Sequence, residues 1–76
     1  MHNMETTDFS AIGPKWMGAE DKQYIALAVM KHTNKDIDWI VAQLNDCDGW
    51  ELIPYFCVNK GEAGAIEAWL NNYVFA

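Results

Sequence analysis

The stretch from Thr33 to Asn59, TNKDIDWIVAQLNDCDGWELIPYFCVN, constrains the fold of this chain more than any other. It reads as a capped helix, a glycine stop and an apolar strand. Thr33 is a good N-cap, and Asp36, three residues on, gives a capping-box-like arrangement. Asp36 and Asp38 stand in the first turn, where the helix dipole favours negative charge. At about 100° per residue, Ile37, Ile40, Val41 and Leu44 form one apolar stripe, the expected core face. Trp39 falls nearly opposite, beside Ala42, Gln43 and Asp46. Gly49 is expected to end the helix in the C′ role. Over Trp50–Asn59, alternation puts Trp50, Leu52, Pro54, Phe56 and Val58 on one side and Glu51, Ile53, Tyr55 and Cys57 on the other. Pro54 has no N–H to donate, which places this strand at an edge or a bulge.

The flanks are read as lead-in and return. Residues 1 to about 20 contain two Gly and one Pro and show little periodicity, as an irregular arm does. Phe9, Ile12, Trp16 and Met17 are too apolar for a free tail, so part of the arm is expected to pack back, with Met1 to Thr7 loosest. Gln23–Lys31 (QYIALAVMK) has the length of a strand, with Ile25, Leu27 and Val29 on one face and Tyr24, Ala26, Ala28 and Met30 on the other. Asn59-Lys60-Gly61-Glu62 is a turn signal. The closing AGAIEAWLNNYVFA fits helical spacing at Ile66, Trp69, Leu70 and Tyr73, yet Tyr73-Val74-Phe75 has strand propensity, and a strand is the favoured reading. The expectation is an α+β protein: an arm over 1–20, then a small βαββ domain over 21–76. Its three-stranded antiparallel sheet carries one helix on one face.

Seventy-six residues make a single domain near the lower limit of self-sufficient cores. Four Trp, three Tyr and three Phe supply much of the buriable area. Eleven acids face five lysines and no arginine, a net charge of −6. Nucleic-acid binders gather positive charge on one face, so no nucleic-acid partner is expected. A basic protein partner suits the acidic surface better. No apolar run approaches the roughly 20 residues that span a bilayer, and MHNMETTDFS lacks the apolar core and cleavage-like site of a signal peptide. A cytoplasmic chain with Cys47 and Cys57 reduced, and no membrane partner, is the expectation.

Across Leu44–Phe56, LNDCDGWELIPYF, the chain resembles a widespread family of small bacterial and phage proteins of unknown function. Leu44, Gly49, Trp50, Glu51 and Leu52 match its signature, and Tyr73-Val74-Phe75 resembles its aromatic ending. The resemblance covers residues 23 to 76, and the family's basic C-terminal stretch has no counterpart here. It implies a βαββ fold and no catalytic residues.

Chemistry-bearing motifs are scarce. Asp46-Cys47-Asp48-Gly49-Trp50-Glu51 superficially suggests a calcium loop, but Leu44 and Tyr55 occupy positions where an EF-hand needs ligands. His2, His32, Cys47 and Cys57 lack metal-ligand spacing. A Cys57–His32 nucleophile pair has no accompanying oxyanion-hole loop. No glycine-rich phosphate cradle is present. No enzyme activity, metal or cofactor is therefore expected.

What remains is surface. One helix covers one face of a three-stranded sheet, so Tyr24, Ala26, Ala28, Met30 and Tyr55 are expected to meet a second copy in a homodimer or higher homo-oligomer. Trp39, Ala42, Asp46, Asp48 and Glu51 are expected to meet a partner protein, Trp being enriched at hot spots. The function expected is a non-catalytic interaction module, such as a small phage-type inhibitor or adaptor. The alternative is a small-molecule binder or sequestering protein with an aromatic site between subunits.

Overall fold

Helix takes every segment for which alternation suggested strand. The computed structural model describes residues 7–76. Among them are helix α1 (Ala19–Thr33), helix α2 (Ile37–Asp46), helix α3 (Gly49–Trp69) and a closing π-helical turn (Leu70–Val74), with no strand. The expected βαββ sheet is thereby corrected to an all-helical fold, and the expected looseness of residues 1–6 concerns positions outside the described residues.

In α1 the five polar-rich residues Ala19–Gln23 belong to the same helix as the apolar run that follows. Read at the helical period, Lys22, Ile25, Ala26 and Val29 face inward and Leu27 is 40 % exposed. Glu20 and Asp21 stand in the first turn and Lys31 and His32 in the last, each favourably placed on the dipole. Asn34 ends α1 in the left-handed conformation, φ 59°, donating its N–H to the Met30 carbonyl at 2.8 Å. Lys22 is 2 % exposed, yet among the described residues no fully buried side-chain nitrogen or oxygen lacks a partner. Its methylene stem therefore packs inside while the ammonium reaches water.

Thr33 closes α1 instead of capping α2. Its hydroxyl donates to the Val29 carbonyl at 2.8 Å, and the cap of α2 is Asp36, which accepts from the Trp39 N–H at 2.9 Å. The α2 stripe is as expected, with Ile37, Ile40 and Leu44 buried and Val41 half-buried.

Gly49 does not stop a helix; it begins one. The left-handed residue at this junction is Asp48, φ 54°, ψ 32°, which serves as the N-cap of α3. What position 49 requires is the absence of a side chain. A Cβ there would lie 2.5 Å from Leu44 Cδ2 and 2.6 Å from Trp69 Cζ2. Trp69 is fully buried and its indole N–H donates to the Cys47 carbonyl at 3.0 Å, satisfying a group left free at the end of α2.

α3 is broken at Gly61, whose φ 74°, ψ 175° is a conformation essentially reserved for glycine. The break turns the second half so that Ala65, Ile66, Trp69 and Leu70 fill the core beside Trp50 and Ile53 from the first half. Pro54, expected at a strand edge, sits in this first half and removes the bond that the Trp50 carbonyl would accept. The three helices pack on one another, and the arm adds buried Phe9 and Met17 to the same core. The expectation that the arm packs back holds for these two and for half-buried Ile12, whereas Trp16 is 68 % exposed.

Gly49→Ala is expected to destabilise by about 1–3 kcal/mol through overpacking, and Gly61→Ala by a similar amount, about 1–3 kcal/mol, through backbone strain alone. Nothing lies within 4 Å of a Cβ at Gly61. Urea midpoints check both. An unchanged midpoint for Gly49→Ala would contradict the close approach of Trp69.

Candidate functional site

An apolar groove of about 460 Å3 lies between α1 and the first half of α3, closed at one end by the arm. Its floor is Met17, Ile25 and Ile53, all buried, and the small side chain of Ala28 leaves the space open above them. Trp16, Tyr24, Pro54 and Cys57 form its walls. Asp21 and Glu62 are the charged residues that border it, both acidic.

Helical spacing explains why these residues meet. Asp21, Tyr24, Ile25 and Ala28 lie three or four apart on α1, as do Ile53, Pro54 and Cys57 on α3. The break at Gly61 brings Glu62 against α1, where its Oε1 accepts from the Tyr24 hydroxyl at 2.7 Å. That bond, with the carboxylate's negative charge, holds the Tyr24 phenol above its ordinary value of 10.0. Cys57 is also raised, first by burial and then by Glu62. A raised thiol is a poor nucleophile. His32 is held by Glu67 and does not line the groove with Cys57, so the two residues weighed as a nucleophilic pair are not brought together. Both cysteines are free thiols, and no cluster of three or more His, Cys, Asp or Glu among the described residues has the arrangement to hold a metal ion.

The residues expected at an oligomer interface separate once their segments are helical. Tyr24 and Ala28 line the groove, and Met30 is half-buried. Ala26 is fully buried in the core and unavailable to a second copy, because residues two apart diverge by about 200° on a helix. Tyr55 is 71 % exposed and rests edge-on against Phe56, 5.6 Å between ring centres. The uncovered sheet face on which self-association was expected does not exist.

Of the expected partner-binding residues, Trp39, Ala42 and Asp46 lie on α2 and Asp48 and Glu51 at the start of α3. Trp39 is half-buried, its ring 6.3 Å from that of Phe75 and 5.5 Å from the Lys35 ammonium. The π-helical turn positions Phe75, whose N–H reaches the Leu70 carbonyl at 2.8 Å. Ala42 borders a second concavity, of about 410 Å3, with Thr7 and Ile12, and Asp48 and Glu51 border a third, of about 230 Å3, with Pro14, Trp16 and Trp50. Asp46 is exposed. Asp48 and Glu51 stand at the N-terminus of α3, where the dipole favours them, so their charge has a structural reason that the strand reading lacked.

Sequence reasoning missed Trp16, Met17, Asp21, Ile25, Pro54, Cys57 and Glu62 as a set. Testing 21–28 at the helical period would have exposed its α1 members. No helix among the described residues is long and apolar enough to cross a membrane. No family profile, curated protein or solved structure matches this chain.

A phenol whose folded pKa lies above its unfolded value contributes stability that is present below about pH 10 and lost as pH rises through the folded value. In an ultraviolet titration of the three tyrosines, Tyr24 is therefore expected to ionise late, and Tyr24→Phe to remove that late component. A titration unchanged by Tyr24→Phe apart from one fewer ordinary tyrosine would show that the bond to Glu62 is absent in solution.

Proposed function

We propose that this protein is a non-catalytic binding module whose working surface is the groove between α1 and the first half of α3. One observation carries the reading: a preformed apolar floor of Met17, Ile25 and Ile53 remains open beneath exposed aromatic walls in a domain too small to spare apolar surface. Recognition sites combine such an apolar concavity with a few polar groups at the border. Here Asp21, Glu62 and the Tyr24 hydroxyl supply them. A protein partner is the first reading, because apolar side chains continue past the groove onto the open surface. The second is a small apolar ligand held between Trp16 and Tyr24, supported by a volume within the range of small-molecule sites. A ligand mass retained in native mass spectrometry would favour it.

The neutral dye Nile red tests the groove itself. It is expected to bind with a blue-shifted emission, and Trp16→Ala to weaken that binding about ten-fold through the loss of one aromatic wall. Phe75→Ala, on another surface, should leave dye binding unchanged. Equal effects of the two substitutions would place the apolar site elsewhere.

A further inference from the structure

Resting on the groove as the working surface, we infer that its occupant is a cationic amphipathic helix of another protein, not a second copy of this chain. A channel between two packed helices accepts the side-chain ridge of a third, the familiar helix-in-groove mode. The apolar surface also exceeds the concavity. Trp16 and Tyr24 are 68 % and 66 % exposed, and Val58, one turn beyond Pro54 on α3, is 83 % exposed. An occupant that covers all three must extend well past the 460 Å3 of the groove, as several turns of helix do.

Charge selects the kind of helix. Asp21 and Glu62 border the groove, and no basic residue is among its lining residues. Glu62 engages Tyr24 through Oε1, which leaves Oε2 for an incoming cation, and the faces of Trp16 and Tyr24 suit cation–π contact. A second copy would bring the same two acids to the same border, on a body that already carries −6. Two-fold pairing sets such groups close to one another, and like charges at an interface oppose association.

The test uses the whole protein and a fluorescein-labelled Leu/Lys helix of about 18 residues with leucine on one face. Its Leu/Glu counterpart serves as the control. Fluorescence anisotropy should show binding of the Lys helix that weakens steeply toward about 0.5 M salt, and displacement of Nile red. Asp21→Asn with Glu62→Gln, which keeps an acceptor for Tyr24, should weaken binding about 5- to 10-fold. Asp38→Asn with Asp46→Asn, both on α2 and outside the groove's lining, should not. Equal weakening by the two pairs would reveal general charge attraction and overturn the inference. So would equal binding of the Leu/Glu helix, or sedimentation as a dimer that Val58→Glu abolishes. Nile red bound without any helix binding sinks this inference and leaves the groove standing; loss of both sinks the groove as well.

Discussion

The indole N–H of Trp69 donates to the Cys47 carbonyl across the junction of α2 and α3, and most of this structure depends on that contact. The bond occupies a carbonyl that the end of α2 leaves free, and the ring fills the place where any side chain at position 49 would stand. The bond is part-buried, so losing its donor costs toward the low end of the range of about 1–3 kcal/mol for a buried unpaired acceptor, still a sizeable fraction of what a domain this small commands. The same contact joins residues 22 positions apart, so it ties the end of α3 to its own beginning. That return is feasible because Gly61 breaks α3 between them.

The groove follows from this closure. With the second half of α3 committed to the core, the first half faces α1 through Ile53, Pro54 and Cys57. Ala28 on α1 is too small to fill the gap. The Tyr24–Glu62 bond then joins α1 to the residue just past the break, on the border of the opening. Groove and core are thus two outcomes of one geometric device, a helix reversed at a glycine.

The α2 stripe of Ile37, Ile40 and Leu44 was legible in the sequence because its apolar positions fit only the helical period. α1 and α3 were not. QYIALAVMK is apolar on nearly every position, so alternation and helical spacing describe it equally well, and of its polar lead-in Ala19 and Glu20 fell to the arm while Gln23 opened the expected strand. WELIPYFCVN carries aromatic and β-branched residues that favour strands, and Pro54 discourages helix; burial of Trp50 and Ile53 on one helical face outweighs both. Gly49 was noticed for its backbone freedom, whereas its role is the space it leaves for Trp69. The groove was half visible: Tyr24 and Ala28 were singled out, but as part of a sheet face, and their partners on α3 were hidden by the strand assignment.

The four tryptophans make the central claim directly measurable through indole hydrogen exchange by NMR. Trp69, fully buried and bonded to Cys47, should exchange slowest, and Trp16, largely exposed, fastest. A cross-peak from the Trp69 ring to the Gly49 Hα protons should accompany it. Exchange of the Trp69 indole at the rate of Trp16, or a Trp69 ring with no contact to Gly49, would contradict a fold closed by this contact.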